Sequence, residues 1–207
     1  MDGRIAVLVS GSGTNLQALL DNPLIAPRIA LVLSDRPGVK ALERASAAGV
    51  ETLVLRVEDF PDRDAYTVGV RDALLDRGID VAVNAGFMRV LGRAFAEAFS
   101  GRWLNVHPAL LPAFPGAHAV RDALEWGVRV TGVTVHLVDE EVDNGPIVLQ
   151  EAISVSVDDD FDSLEARVHE VEHRLLPQAV RALLDGRLKV DGRTVHILGE
   201  PLEEIDE

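Results

Sequence analysis

Short apolar runs separated by amphipathic stretches dominate the first hundred residues of the chain. The apolar runs are continuous, which is typical of strands that are covered on both faces. They lie at 5–9, 29–33, 51–55, 81–84 and 103–106. Between them, apolar residues recur three and four positions apart and predict helices. The first predicted helix begins near residue 16, and the next three cover 39–48, 62–77 and 93–99.

This alternation predicts the fold class. Strands that alternate with helices form right-handed βαβ units, so we expect an α/β fold with a Rossmann-like, mostly parallel twisted sheet flanked by helices. In the second half the pattern changes, because 130–138 alternates with period two and 147–155 does so less strictly. We expect these segments to extend the sheet as an antiparallel C-terminal part. A helix at 120–126, a long helix from 161 to about 185 and a hairpin at 187–197 complete the prediction.

The size of the chain fits one domain. It has 207 residues, and we expect a single domain over 1–207 with an N-terminal half to about residue 100 and a C-terminal half from about residue 101. No apolar run approaches the roughly 18–20 residues of a membrane span, so a cytoplasmic location is expected. The acidic residues 203–207 are expected to be frayed.

Charge and cysteine content exclude several classes of partner and site. With 20 basic and 34 acidic residues, the formal net charge is −14, so neither nucleic acid nor an anionic membrane is expected as a partner. The chain has no cysteine, which excludes disulfides and cysteine-bound zinc. An anionic ligand would have to be bound locally, by backbone N–H groups or by a few arginines.

A glycine-rich turn follows the first predicted strand. Residues 10–15 read Ser-Gly-Ser-Gly-Thr-Asn, and the backbone N–H groups of such a turn, with the N-terminus of the next helix, form a natural phosphate site. The side chains of Thr14 and Asn15 add donors and favour a monophosphate or a similar small anion. Gly11 and Gly13 also begin a dinucleotide-binding fingerprint, but a leucine replaces its third glycine.

Asn105, His107 and Asp143 form the candidate catalytic set. Asn105 and His107 are two residues apart on a predicted strand, so their side chains point to the same side. Pro108 then turns the chain away, and Asp143 comes from a second turn rich in glycine and proline. An amide can stabilise an oxyanion, an imidazole can donate or relay a proton, and a nearby carboxylate would raise the pKa of the imidazole. This set is typical of acyl or formyl transfer, and no metal is expected because no metal-ligand spacing motif is present.

Several segments together resemble a known family. They are 10–18, 85–91, 105–112, 114–118, 134–136, 143–147, 172–173 and 185–188. Over essentially the whole chain, their order and spacing resemble those of the folate-dependent phosphoribosylglycinamide formyltransferases in their bacterial single-function form. The resemblance implies transfer of the formyl group of 10-formyltetrahydrofolate, the co-substrate, to the amine of glycinamide ribonucleotide in purine biosynthesis. Both partners implied in this way are small molecules.

The resemblance also implies roles for individual residues. The catalytic residues would be Asn105, His107 and Asp143. The ribonucleotide, with its phosphate in the N-terminal half, would be bound by Gly11, Ser12, Gly13, Thr14, Asn15, Arg63, Gly86, Met88, Pro108 and Glu172. The folate, in the C-terminal half, would be bound by Arg89, Val90, Leu91, Val138, Asp139, Glu140, Glu141, Val142 and Asp143. His118 and His136 would lie behind the catalytic groups, Arg89 would face the glutamate tail, and 112–116 would be a mobile loop.

Three positions depart from the pattern of the family that the chain resembles, and one of them, Val133 in place of a common threonine, should have little effect. His169 stands where other members carry lysine or glutamine, which puts a ligand contact there in question. Asn144 stands where they carry glycine. Because asparagine tolerates a left-handed backbone better than most residues, we expect the turn after Asp143 to be retained.

Two alternatives remain open from the sequence. A 10-formyltetrahydrofolate hydrolase would keep the same three catalytic side chains and use water as the acceptor. A nicotinamide-nucleotide-binding protein would use the turn at Gly11 and Gly13 together with Asp35, which lies near the end of the second predicted strand, where a ribose-binding acid would lie. The sequence contains no interface signature, and a homodimer is compatible with a chain of this size.

Overall fold

Nine strands and six α-helices build residues 3–199, the part of the chain that the computed structural model describes. The strands are β1 (Ile5–Val9), β2 (Ile29–Ser34), β3 (Glu51–Val54), β4 (Val81–Asn84), β5 (Trp103–His107), β6 (Val130–Leu137), β7 (Ile147–Ser154), β8 (Leu188–Asp191) and β9 (Thr194–Ile197). The helices are α1 (Thr14–Asp21), α2 (Lys40–Ala47), α3 (Arg63–Leu75), α4 (Arg93–Ala98), α5 (Ala119–Trp126) and α6 (Phe161–Leu184). Every predicted strand and helix is present, with ends that differ by at most two residues.

Two elements escaped the sequence analysis, and one expectation is untested. Short 3₁₀-helices lie at Ala26–Arg28 and Val57–Asp59. A single turn of three residues carries no periodic signal, so the apolar pattern could not indicate them. The acidic segment 203–207, for which fraying is expected, lies outside the described residues.

The nine described strands form one sheet in the order β3-β2-β1-β4-β5-β6-β7-β9-β8. Pairing is parallel from β3 to β5, whereas β6 is antiparallel to both β5 and β7. This confirms the predicted α/β class with a mostly parallel sheet and an antiparallel C-terminal extension. The chain order reverses between β1 and β4. In open α/β sheets, ligands bind outside the carboxyl ends of the strands at such a point.

Helices cover both faces of the parallel part of the sheet. In β1, Ile5, Val7 and Val9 pack into the layer of α1, α2, α5 and α6, while Ala6 and Leu8 pack into the layer of α3 and α4. All five side chains are fully buried. A strand buried on both faces needs apolar residues at every position, which explains why the run is continuous in the sequence.

The long helix α6 is fixed at its start and packs across the sheet. Its N-cap residue Asp160 accepts a hydrogen bond from the Ser163 N–H at 2.8 Å, and the Ser163 hydroxyl accepts one from the Asp160 N–H at 3.1 Å. This reciprocal capping box satisfies backbone donors that the first helical turn leaves free. The helix packs against α1, β6 and β7, and it therefore holds Glu172 beside Asn15 of α1.

Gly132 of β6 lies where the sheet and the segment after β5 approach closely. A Cβ atom built on Gly132 would overlap the carbonyl oxygen of Glu151 and lie 2.6 Å from Leu110 Cδ2. We therefore expect Gly132→Ala to lower the free energy of unfolding by about 1–3 kcal/mol, measured by chemical denaturation, since backbone atoms must move. Gly3→Ala is the control, because its added Cβ meets Leu184 Cδ2 at an ordinary 3.4 Å. Equal stabilities of the two variants would contradict the expectation.

Candidate active site

The candidate catalytic side chains meet on one face of β5. Asn105 and His107 both lie within 3.5 Å of the carboxylate of Asp143, as their predicted common side requires. The antiparallel neighbour β6 places His136 opposite Asn105 and Thr134 opposite His107. His107 and His136 are buried, and Asn105 is partly buried. The face therefore combines an amide and an imidazole from β5 with a second imidazole from β6.

Asp143 reaches this face from the segment between β6 and β7. Its Oδ2 accepts a hydrogen bond from the Gly116 N–H at 2.7 Å and lies 3.5 Å from His107 Nδ1. Its Oδ1 lies 3.4 Å from Asn105 Nδ2 and 3.6 Å from His136 Nε2. The structure thus brings together the three residues predicted to be catalytic, although Asp143 is 36 positions away from His107 in the chain.

The backbone of this segment differs from the expectation. Asp143 itself adopts the left-handed conformation, with φ +53°, whereas Asn144 does not. The left-handed backbone of this turn therefore lies at Asp143 and not at Asn144, from whose tolerance the retention of the turn is expected. Gly145 is required for space, because a Cβ there would overlap the carbonyl oxygen of Leu137. A non-glycine residue at positive φ is strained, and the bond from Gly116 helps to hold Asp143 in place.

The amide nitrogen of Asn105 is already engaged in the free protein. His136 Nδ1 lies 2.9 Å from the Leu137 carbonyl oxygen, which can only accept, so Nδ1 carries a proton and Nε2 is left as an acceptor. Asn105 Nδ2 lies 3.1 Å from that Nε2 and donates to it. The same nitrogen faces Asp143 Oδ1 at 3.4 Å. The donor of Asn105 is thus oriented by two acceptors.

His107 is held by a backbone carbonyl. Its Nε2 lies 2.8 Å from the Phe114 carbonyl oxygen, so Nε2 carries the proton and Nδ1 faces the Asp143 carboxylate. Burial lowers the pKa of His107 below its ordinary value and outweighs Asp143 and the Phe114 carbonyl, which both raise it. Asp143 thus raises this pKa as expected, but the loss of hydration, which the sequence does not indicate, outweighs it.

The pKa of Asp143 shifts in the direction that keeps the carboxyl group ionised. Burial by itself would raise the pKa of Asp143, but the contacts with His136 and Gly116 and the nearby His107 together lower it below its ordinary value. At neutral pH the face therefore combines a neutral imidazole with a carboxylate. A carboxylate can take up a proton, and the imidazole N–H can donate a hydrogen bond.

A first cleft of about 330 Å³ opens at the carboxyl ends of β1 and β4, where the chain order reverses. The predicted binding residues that line it are Gly11, Ser12, Gly13, Thr14, Asn15, Gly86, Met88, Pro108 and Glu172, together with His118. The cleft is also lined by Arg121 of α5 and His169 of α6. His169 lies three residues before Glu172, so helical spacing could have placed it here. Arg121 could not be found in this way, because only the fold brings α5 to the cleft.

The glycine-rich turn offers backbone donors to the first cleft. Gly13 has φ +72°, and a Cβ there would lie 2.6 Å from Ala41 Cβ, so the turn needs glycine for conformation and for space. No side chain caps α1, and its first turn contains no acidic residue. The first N–H groups of the helix, which have no partner within the helix, therefore remain available to an anion.

Asn15 links the glycine-rich turn to the long helix. Its Nδ2 donates to Glu172 Oε2 at 2.9 Å, so one of its two N–H donors bonds to α6. Burial raises the pKa of Glu172, and the bond from Asn15 opposes the rise. Both residues line the first cleft. The pair thus joins the glycine-rich turn to the long helix.

A second cleft of about 240 Å³ contains the candidate catalytic face. All the residues predicted to bind folate line it: Arg89, Val90, Leu91, Val138, Asp139, Glu140, Glu141, Val142 and Asp143. Asn105, His107 and His136 line it as well. The two clefts share the residues Gly86, Met88, Val106, Pro108 and Ala117 as a common wall. Two ligands can therefore approach the same point from two sides.

Arg63 is the predicted binding residue that lines neither cleft. It is the first residue of α3, its side chain is 68% exposed, and its nearest acidic partner is the adjacent Asp64 at 3.8 Å. The structure therefore does not bring Arg63 together with the other candidate residues, and its assignment stays a prediction.

Asp35 is not available to a ribose. Its side chain is fully buried, and it accepts a hydrogen bond from Arg89 Nε at 2.7 Å and lies 3.3 Å from Arg36 Nη2. The acid on which the nicotinamide alternative depends is thus occupied by arginines. The dinucleotide-binding fingerprint therefore lacks an acid that is free to bind a ribose, and in the sequence it already lacks the third glycine.

Two structural properties bear on other classes of function. Within residues 3–199, no group of three or more His, Asp or Glu side chains is arranged to hold a metal ion. Among the helices of the described chain, none is both long and apolar enough to cross a membrane.

The contact between His107 and Asp143 can be tested through the pKa of His107. In the free protein we expect this pKa to lie below the ordinary histidine value, because burial outweighs the carboxylate. Asp143→Asn removes a charge that raises the pKa, so the pKa should fall further. NMR titration of the histidine ring resonances, assigned with His107→Gln, measures both values. Asp139→Asn, in the same cleft, is the control, and an unchanged pKa in Asp143→Asn would contradict the contact.

Comparison with known proteins agrees with this geometry. The Formyl transferase family matches residues 3–180. A phosphoribosylglycinamide formyltransferase of Mycobacterium tuberculosis is 47% identical over 193 residues, which cover 92% of this chain and 89% of that protein. The trifunctional purine biosynthetic protein adenosine-3 of Drosophila melanogaster is 44% identical over 188 residues, or 88% of this chain, and the match spans 14% of that longer protein.

A solved structure gives the same result. Glycinamide ribonucleotide transformylase 1 from Symbiobacterium toebii superposes with a TM-score of 0.91 and 46% identity, covering 95% of this chain and 94% of that chain. The match includes both the parallel core and the antiparallel extension, since it covers almost the full length of both chains. The chain therefore belongs to the formyl transferase family and, within it, to the phosphoribosylglycinamide formyltransferases of purine biosynthesis.

Proposed function

We propose that this enzyme transfers the formyl group of 10-formyltetrahydrofolate to the amine of glycinamide ribonucleotide, with Asn105, His107 and Asp143 as the catalytic residues. The observation that carries the proposal is the convergence of an amide, a neutral imidazole and a carboxylate beside the wall that two clefts share. A reaction between two small molecules needs two binding sites that meet at the reacting atoms.

The first cleft is proposed to bind the ribonucleotide. The uncapped N-terminus of α1 and the turn at 11–15 supply backbone N–H groups for its phosphate. Glu172 is buried in the same cleft and can accept hydrogen bonds from the ribose hydroxyls. These two features adjoin through the bond from Asn15 to Glu172, and the amine end of the ligand would extend from them toward the wall at Gly86, Met88 and Pro108.

The second cleft is proposed to bind the folate donor. The segment from Val138 to Asp143 lines this cleft and offers backbone groups to a pterin ring. Arg89 is the only lysine or arginine among the residues that line it, and the other side chains with full charges are acidic. A carboxylate on the donor's tail would therefore be bound beside Arg89.

The catalytic residues can then act on one tetrahedral intermediate. Attack of the amine on the formyl carbon forms a C–N bond, and loss of the folate nitrogen breaks the other C–N bond. The Asn105 N–H group would leave His136, and the His107 N–H group would leave the Phe114 carbonyl. Both groups would then donate hydrogen bonds to the oxyanion. Asp143 would accept the proton of the attacking amine, directly or through a water, and the proton would leave with the folate nitrogen.

Several interpretations of the sequence remain predictions. They are the contact of Arg63 with the ribonucleotide, the place of His118 and His136 behind the catalytic groups, and the functional division of 1–207 near residue 100. A homodimer, a mobile loop at 112–116 and a cytoplasmic location also remain predictions. None of them is needed for the chemistry proposed above.

The reaction is tested by following consumption of 10-formyltetrahydrofolate through folate absorbance, with and without glycinamide ribonucleotide. We expect turnover that requires the ribonucleotide. Asp143→Asn should lower kcat by about 10²–10⁴-fold, since it removes the proton acceptor. Asp76→Asn makes the same chemical change on an exposed residue that lines neither cleft, so it should keep full activity.

The other outcomes of this assay are equally informative. Turnover without the ribonucleotide would identify a 10-formyltetrahydrofolate hydrolase. An absence of turnover in both mixtures would reduce Asn105, His107 and Asp143 to structural residues. Equal activity of Asp143→Asn and Asp76→Asn would leave the reaction in place and overturn the proposed role of Asp143.

The assignment of the first cleft is tested at Glu172. We expect Glu172→Gln to raise the KM for the ribonucleotide about tenfold and to leave the KM for the folate donor unchanged, since an acceptor oxygen facing the ribose hydroxyls becomes an amide N–H₂ group. Glu170→Gln is the control, because Glu170 is exposed on the same helix and lines neither cleft. Steady-state kinetics with each substrate varied in turn measures both constants. A rise in the KM for the donor alone would assign the clefts the other way round.

A further inference from the structure

A buried carboxylate outside the catalytic set connects the walls of both clefts. Asp35 follows β2, and no part of its side chain is exposed. Arg89 donates to Asp35 Oδ2 through Nε at 2.7 Å, and Arg36 approaches the same oxygen at 3.3 Å. The mechanism proposed above does not use Asp35, yet burial of an unpaired carboxylate would be costly, so its partners indicate what it holds.

On one side Asp35 acts on the wall that the clefts share. Burial by itself would raise the pKa of Asp35, but the neighbouring Ser10 hydroxyl and the two arginines together lower it. The Ser10 hydroxyl accepts a hydrogen bond from the Met88 N–H at 2.9 Å, and the Ser10 N–H donates to the Gly86 carbonyl at 3.1 Å. A chain of contacts therefore runs from Asp35 through Ser10 to Gly86 and Met88, both of which line both clefts.

On the other side Asp35 holds Arg89. Only the Nε of Arg89 is bonded to Asp35. The side chain remains 41% exposed, and the residue lines the second cleft. An arginine side chain is long and flexible, and fixing one of its nitrogens limits the orientations of the rest of the guanidinium. Because the cleft is otherwise lined by acidic side chains at 139–141 and 143, a loose Arg89 would have competing partners.

We propose that Asp35 is a positioning residue for the folate donor: it fixes Arg89 through Nε so that the terminal nitrogens of the guanidinium bind the carboxylate of the donor's glutamate tail. This inference rests on the proposed function, because it requires that the second cleft binds the donor. It assigns to Asp35 a role opposite to that of a ribose-binding acid. The carboxylate binds the protein's own arginine and never touches a ligand.

The experiment compares two donors in Asp35→Asn, which keeps the shape of the side chain and removes its charge. One donor is 10-formyltetrahydrofolate, and the other is the same compound without its glutamate, 10-formyltetrahydropteroate. At saturating ribonucleotide, we expect the KM of the glutamate-bearing donor to rise about tenfold and that of the shortened donor to stay unchanged. A merely structural role of Asp35 would raise both values alike, and that result would overturn the proposal.

Two further variants separate Asp35 from its surroundings. Arg36→Ala is the matched control, because Arg36 approaches the same carboxylate but lines neither cleft, so the ratio of the two KM values should match the wild type. Asp35→Asn combined with Arg89→Met should show the same ratio as Arg89→Met alone, since Asp35 acts through Arg89. Additive changes in the double variant would overturn the proposal.

The outcomes also distinguish this inference from the proposed function. An inactive wild type would remove the function, whereas an active wild type with equal KM ratios in Asp35→Asn would remove only the role of Asp35. If Asp35→Asn does not fold, Ser10→Ala replaces it, because it removes the hydroxyl beside the carboxylate and leaves the charge in place. We then expect a smaller rise in the same ratio, and an unchanged ratio overturns the proposal.

Discussion

The active site depends on β5 having a parallel neighbour on one side and an antiparallel neighbour on the other. The parallel pairing with β4 places the segment after β4, with Gly86 and Met88, level with the end of β5. The antiparallel pairing with β6 places His136 opposite Asn105 and leads the chain into the segment that carries Asp143. The candidate catalytic face lies at this change of direction, where the segments that follow β4 and β6 both reach β5.

Three buried carboxylates show how surroundings decide the use of one functional group. Asp143 is kept ionised by imidazoles and a backbone N–H, whereas burial raises the pKa of Glu172, which has one amide donor. Asp35 is ionised too, but arginines occupy it. The first can accept a proton, the second can bond to hydroxyls, and the third can fix an arginine. In a chain of net charge −14, the burial and the bonding partners of each acidic side chain thus decide what that side chain can do.

The free enzyme already satisfies the groups that the reaction would use. The Asn105 amide faces His136 and Asp143, and the His107 N–H faces the Phe114 carbonyl. Substrates would therefore replace existing hydrogen bonds and would not have to order free side chains. The existing hydrogen bonds keep the donors oriented before substrate binds, and preorganised donors are the main source of oxyanion stabilisation in enzymes.

By itself, the sequence determined the strands, the helices, the glycine-rich turn and the three residues of the candidate catalytic set. This succeeded because apolar periodicity and turn chemistry are local properties, so Ile5–Val9 reads as a doubly covered strand and Gly13 as a residue that must turn. Only the tertiary structure decided the order of the strands, the bond from Asn15 to Glu172, the left-handed backbone at Asp143 and the enclosure of Asp35 by Arg89. It also decided the net shift of the His107 pKa, because burial depends on every segment packed around a side chain, and no local pattern contains that information.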